Sequence, residues 1–291
     1  MGKRIELLII DPQNDFCTQQ VEVYNPALAN TITMNGALYV GGAEGDMSRL
    51  AKMIDRIGDK LYDIHITLDS HRLVDISHPI FWEDGAGNPP GPFTIITLDD
   101  VVKGVWKAKN PGYQIKATNY VRTLYDNQRY PLCIWPPHCL IGTWGHNVVP
   151  ELFDSLLKWE AENFANVDFV TKGSNPFTEH YSGVQADVPD PMDPSTQLNT
   201  GLINTLQEAD IILLAGEARS HCLANTVRDI AKKFDVDGNA EFVKKMVLLK
   251  DATSDVGDLP GSTMFKDMGE GFVAELTGLG MDLSTTEAFL S

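Results

Sequence analysis

The sequence predicts an α/β fold: three layers, α/β/α, around a mainly parallel central sheet. Three observations carry this. Short apolar runs alternate with segments of helical period along most of the chain. Repeated strand-then-helix units need a parallel sheet covered on both faces. Four chemistry-bearing positions, Asp11, Asp69, Lys172 and Cys222, fall at or just after predicted strand ends. That edge of an open parallel sheet is where ligands bind.

In order along the chain, Glu6–Ile10 (ELLII) reads as a buried strand ending at Asp11. Met47–Ile57 reads as a helix with Leu50, Met53, Ile54 and Ile57 on one face. Tyr62–Leu68 is a second strand, ending at Asp69, and Leu132–Trp135 is a short extended run stopped by Pro136 and Pro137. Leu152–Ala161 is helical, and Asn166–Val170 is a strand that leads into Lys172. Ile211–Ala215 (IILLA) is a strand closed by Gly216, and Cys222–Lys233 follows as a helix. Val247–Lys250 is a late strand. Three stretches break the pattern, near 17–35, 83–130 and 183–200. They read as insertions on one domain spanning 1–291, because long loops inside a compact unit are usually functional or inserted.

Composition narrows the classes. The chain has 291 residues, 40 acidic against 23 basic, and a formal charge of −17. That balance excludes a nucleic-acid binder, which needs clustered Lys and Arg, and an anionic-membrane protein. No apolar run reaches the roughly 18 residues of a membrane helix. The start, MGKR followed by IELLII, lacks a signal-peptide pattern, so the cytoplasm is the expected compartment. Cys17, Cys133, Cys139 and Cys222 show no CxxC spacing and read as reduced thiols. Residues 101–150 run against the trend, with 6 bases and 1 acid. This reads as a local surface patch.

Cys222 lies in GEARSHCLANT, between a strand and a helix. A helix N-terminus favours thiolate and offers N–H groups to an oxyanion. Position alone leaves Cys222 open between a nucleophile and an inert buried thiol. Asp11, in IIDPQNDF, is placed to take a thiol proton, though alone it also reads as a turn residue before Pro12. Lys172, in VTKGS, would lower a neighbouring thiol pKa, though alone it reads as a surface lysine. Asp69 and His71 are two apart on an extended chain and so share a side. With His78 and His138 they suit Zn²⁺, Fe²⁺ or Mn²⁺. Spacing does not choose His138 over His146.

Together these residues resemble the isochorismatase-like cysteine hydrolases, and within them the nicotinamidases. The resemblance rests on DPQNDF (11–16), GALYVGGA (36–43), Asp69-x-His71, WPPHC (135–139), Lys172-Gly173, Tyr181-Ser182-Gly183 and GEARSHC ending at Cys222, in that order over most of residues 3–255. WPPHCLIGTWG is the part that separates nicotinamidases from metal-free isochorismatases. The resemblance implies a catalytic triad of Asp11, Lys172 and Cys222. It implies metal ligands Asp69, His71 and His138, with His78 as a further one. It implies pocket walls from Phe16, Trp135 and Tyr181, and an oxyanion hole from the N–H groups of Ala218 and Cys222, with a cis peptide before Ala218. Two departures stand out: Ser70 replaces the usual Trp, and Arg219-Ser220 replaces the usual Thr-Asp. The segment from His71 to Trp135 is also longer than in compact members.

The function implied is hydrolysis of nicotinamide to nicotinate and ammonia in NAD salvage, through a thioester. The cofactor is one divalent ion, Zn²⁺ first and Fe²⁺ or Mn²⁺ as alternatives. The expected partner is a small-molecule amide, with self-assembly as a further expectation from the family. One alternative is an amidase acting on a ureido, carbamoyl or other heteroaromatic amide. An isochorismatase would leave Asp69, His71 and His138 without a task. A non-catalytic binding protein should have lost a triad member, and all three are present.

Overall fold

The computed structural model describes residues 2–25, 29–234 and 240–291. Residues 26–28, within the first expected insertion, lie outside them. A six-stranded sheet forms the centre: β1 (Ile5–Ile10), β2 (Leu61–Asp69), β3 (Asp168–Lys172), β4 (Ile211–Gly216), β5 (Met246–Leu249) and β6 (Asp282–Ser284). Their spatial order is β6-β5-β4-β1-β2-β3, and every neighbouring pair is parallel. The strand order reverses direction between β1 and β4. At that point the loops leaving the two carboxyl ends diverge and leave a crevice.

The helices follow from the crossovers. α1 (Ala43–Ile57) links β1 to β2, and α3 (Pro150–Asn163) precedes β3. They pack against each other. α5 (Ala224–Phe234) and α6 (Met264–Gly278) link β4 to β5 and β5 to β6, and they also touch. Right-handed crossovers running in opposite directions along the sheet put these two pairs on opposite faces. α4 (Thr200–Gln207) leads into β4. The predicted three-layer architecture is therefore the observed one. The inner strands are apolar throughout because both faces are covered: Leu7, Leu8, Ile9, Ile10, Ile64, Ile66, Ile212, Leu213 and Leu214 are all fully buried.

The irregular stretches hold more structure than their sequence suggests. Val21–Asn25 pairs antiparallel with Asn30–Met34. The 83–130 segment contains α2 (Gln114–Asp126). It also pairs two short ribbons, Trp82–Glu83 with Lys107–Ala108 and Ile95–Ile96 with Leu132–Cys133. The predicted extended run at 132–135 thus joins a ribbon outside the main sheet. A separate apolar cluster holds this region, built from Ile76, Phe81, Trp82, Ile96, Val101, Tyr120, Val121, Leu124 and neighbours.

Local ion pairs absorb the basic stretch. Lys103 pairs with Asp99 at 2.6 Å, Lys107 with Glu83 at 3.1 Å, Lys116 with Asp190 at 3.3 Å and Arg129 with Asp229 at 3.1 Å. Four of its six cations are thus paired locally. All four cysteines are free and buried. Among the described residues, no helix is long and apolar enough to cross a membrane.

Candidate active site

Asp11 follows β1, Cys222 follows β4, and Lys172 ends the edge strand β3. The fold brings the three together at the crevice. Lys172 Nζ lies 2.9 Å from Asp11 Oδ2, 3.0 Å from Asp69 Oδ1 and 3.6 Å from Cys222 Sγ. All are buried, Asp11 fully. Asp11 has φ +44°, and its other oxygen accepts from Thr67 Oγ1 at 2.6 Å. A lysine this deep needs fixed anions, and two carboxylates supply them.

The protonation states follow from burial and charge. Burial raises the Asp11 carboxyl above its usual range. The Lys172 cation opposes that rise and Asp69 adds to it. Burial opposes the Lys172 charge, yet Asp11, Asp69 and Cys222 outweigh it and hold the ammonium well above its usual pKa. Burial pushes the Cys222 thiol well up, with Lys172 pulling it down and Asp11 and Asp69 pushing it further up. Burial thus favours the uncharged thiol, against the pull of Lys172.

Cys222 does not begin the long helix as the sequence suggests. It sits in a π-helical turn, Arg219–Leu223, and α5 starts at Ala224. The Glu217–Ala218 peptide is cis, as the resemblance implies. The Ala218 carbonyl accepts the N–H groups of His221 and Leu223 at 3.0 and 3.2 Å. Arg219 and Ser220 brace this turn. Arg219 Nε donates to Asp255 Oδ1 at 3.0 Å, and Ser220 Oγ accepts from the Val256 N–H at 3.2 Å.

Asp69, His71 and His138 present donor atoms within 4.8 Å of one another. His71 Nε2 is 3.1 Å and His138 Nε2 3.3 Å from Asp69 Oδ2. The His78 ring centroid is 5.1 Å from that of His71 and 5.6 Å from that of His138. The histidines share one arrangement. Nδ1 of His71 meets Asp75 Oδ2 at 3.2 Å, that of His78 meets the Leu73 carbonyl at 3.2 Å, and that of His138 meets the Pro136 carbonyl at 2.9 Å. A carbonyl oxygen only accepts, so Nδ1 of His78 and of His138 is the donor and Nε2 keeps the lone pair a metal needs. His78 Nε2 is buried with no hydrogen-bond partner. Burial, then His71 and His138, push its pKa down to about 4, so it stays neutral. An orphaned imidazole nitrogen beside a carboxylate and two further imidazoles fits a divalent cation. Asp69 is held well below the usual carboxylate range. Burial opposes this, and His71, Lys172 and His138 outweigh it.

Ser70 hydrogen-bonds His146 Nε2 at 2.8 Å and donates to the Leu68 carbonyl at 2.9 Å. His146 thus backs the Asp69–His71 pair, and His138 is the histidine that joins it.

A small cavity of about 30 Å³ lies against these groups. Its lining includes Phe16, Trp135, Tyr181, Ala218 and Cys222, together with Asp69 and His138. Trp135 Nε1 donates to the Tyr181 hydroxyl at 3.0 Å, fixing two walls. Its volume is that of a water or two, smaller than a pyridine ring needs. Leu38, Glu179, His221 and Val256 also line it and were not singled out in the sequence. His221 precedes Cys222 and Glu179 lies two before Tyr181, so adjacency to a motif residue was the available signal.

No protein-family model matches the chain, and no curated protein matches it. Solved structures do. The yeast nicotinamidase bound to the inhibitor nicotinaldehyde is 17% identical, with TM-score 0.61 over 97% of this chain and 99% of its own. A nicotinamidase/pyrazinamidase from Acinetobacter baumanii is 19% identical, with TM-score 0.58 over 99% and 98%. The pyrazinamidase of Pyrococcus horikoshii in complex with zinc is 17% identical, with TM-score 0.50 over 97% and 99%. Across nearly its whole length, this chain has the α/β fold seen in solved nicotinamidases and pyrazinamidases.

Proposed function

We propose that this chain is a cysteine amidohydrolase that converts nicotinamide to nicotinate and ammonia. The observation that carries the reading is one contact set: Lys172 Nζ within 2.9 Å of Asp11 and 3.6 Å of Cys222 Sγ, beside an aromatic cavity. We also read residues 1–291 as one hydrolase domain with insertions near 17–35, 83–130 and 183–200.

Asp11 takes the Cys222 proton, and Lys172 holds the resulting charges together. A carboxyl raised by burial is a better base for this than an ordinary aspartate. The sulfur attacks the amide carbon. The oxyanion rests on the N–H groups of Ala218 and Cys222. Asp11 returns its proton to the leaving nitrogen, the C–N bond breaks, and ammonia leaves a thioester on Cys222. Asp11 then takes a proton from water, which attacks the thioester carbon. The C–S bond breaks, Asp11 returns its proton to the sulfur to restore the thiol, and the nicotinic acid formed loses its proton to solvent as nicotinate. Phe16, Trp135 and Tyr181 hold the ring and exclude bulk water. Asp69, His71, His78 and His138 would hold the metal. When bound, a divalent cation supplies a Lewis-acidic point that orients the ring nitrogen.

The test is ammonia release from nicotinamide, with and without chelator, for wild type and Cys222→Ala. Wild-type turnover that is lost in the variant supports the reading. Full activity in Cys222→Ala would sink it. A preference for a ureido or carbamoyl substrate, with nicotinamide untouched, would instead favour the related amidase.

A further inference from the structure

We infer that Glu179 is a metal donor, seated by two of the inserted segments. The inference deepens the metal part of the proposed function and rests on it. Glu179 is buried, and its Oε1 lies 3.8 Å from His71 Nε2. It lines the same cavity as Asp69, His138 and Cys222. Oε1 accepts from the His180 N–H at 2.9 Å, whereas Oε2 is buried without a hydrogen-bond partner. Leaving a carboxylate oxygen desolvated and unpaired is costly, so its placement needs a partner.

Charge counting points to a cation. Asp11, Asp69, Asp75 and Glu179 are four buried carboxyl groups around one lysine, Lys172, and one carboxylate-flanked imidazole, His71. A divalent ion near His71 Nε2 would lie beside the Glu179 carboxylate, whose Oε1 is 3.8 Å away, and would meet the surplus of carboxyl groups. With Glu179 and His78 joining Asp69, His71 and His138, of which the last three present donor atoms within 4.8 Å of one another, the donor set becomes two carboxylates and three imidazoles. Five donors exceed the four of a closed tetrahedral zinc site and suit an ion with five or six ligands.

Inserted residues fix Glu179 in place. Its N–H donates to the hydroxyl of Tyr120, on α2, at 3.2 Å. Its carbonyl accepts the Asp187 N–H at 3.0 Å. Tyr120 belongs to the 83–130 segment and Asp187 to the 183–200 segment. Both insertions therefore converge on the backbone of one residue at the edge of the metal cluster.

The test is a Co²⁺ titration of chelator-stripped full-length protein, followed by calorimetry and by visible absorption. Wild type should bind one Co²⁺ with the weak d–d bands of a five- or six-coordinate ion. Glu179→Gln, nearly isosteric, should weaken binding roughly 10- to 100-fold and intensify those bands as coordination falls. Glu179→Asp, with the carboxylate drawn back, should fall between the two and serves if Gln perturbs folding. Variant affinity within twofold of wild type, with an unchanged spectrum, would overturn the inference. So would intense tetrahedral bands, or no stoichiometric Co²⁺, in wild type. The titration does not use turnover. Glu179-dependent metal binding without ammonia release would reject the proposed activity and leave this inference standing.

Discussion

The side-chain amide of Gln13 grips the backbone of Asp69 from both sides. It donates to the Asp69 carbonyl at 2.8 Å and accepts the Asp69 N–H at 2.7 Å. The same amide also donates to the His146 carbonyl at 2.9 Å. One side chain after β1 therefore fixes the end of β2, where Asp69 of the candidate metal-ligand group lies. Gln13→Ala would leave the Asp69 N–H and carbonyl, both buried, without these partners. An unsatisfied buried group costs about 1–3 kcal/mol. The expected loss on urea unfolding is in that range, with weaker metal binding. A change below about 0.5 kcal/mol would contradict the bracing role.

Lys172 is the only cation whose ion-pair contacts reach both Asp11 and Asp69 among the described residues. Lys172→Met would leave Asp11 a buried carboxylate without its counter-ion and Asp69 with only His71 and His138. Removing one partner of a buried ion pair costs about 3–5 kcal/mol. Chemical denaturation of metal-free protein at neutral pH should register a loss of that size. A loss under about 1 kcal/mol would mean that another group carries the balance.

At the other end of the sheet, His65 on β2 joins three strands. Its Nδ1 lies 2.9 Å from Asp168 Oδ2 on β3, and its Nε2 3.2 Å from Glu6 Oε2 on β1. Asp63 also faces it, and Arg4 holds Glu6 at 2.6 Å. Burial opposes the charged ring, but Glu6, Asp168 and Asp63 outweigh burial and raise its pKa. A histidine with a raised folded pKa contributes fully below its unfolded value, about 6.5. The contribution is lost as pH rises through the folded pKa. The gap in Tm between wild type and His65→Gln should be widest below pH 6.5 and shrink as pH climbs. A gap that is flat or grows with pH would contradict the charged assignment.

Much of the fold was legible because the inner strands are unusual. Glu6–Ile10 and Ile211–Ala215 are nearly continuous apolar runs, and burial on both faces leaves few other readings. Asp11, Asp69 and Lys172 were found because strand ends are easy to locate. α2 was missed because Gln114–Asp126 spaces its buried Ala117, Tyr120, Val121 and Leu124 among polar residues, inside a stretch flanked by Gly and Pro. The helix start was placed early because a π-helical turn at Arg219–Leu223 has no sequence period of its own. Glu179 sits in a loop, where no periodicity operates. Contacts from Tyr120, Asp187 and Thr178 explain where its backbone lies. Gln13 reads as one polar residue in a turn until its contact with Asp69 is seen.

The strand order also bears on how the chain is made. Ile5, at the start of β1, pairs with Ile211, and β1 lies between β2 and β4 in the finished sheet. During vectorial synthesis β2 can add to one side of β1 early. The other side must wait for β4, on the order of 10–40 s later at ordinary ribosome speeds. Through that interval IELLII keeps one hydrogen-bonding edge open, and an apolar segment in that state is prone to pairing with another nascent chain. The crevice that gathers Asp11 and Cys222 thus depends on a pairing that only late-made residues complete.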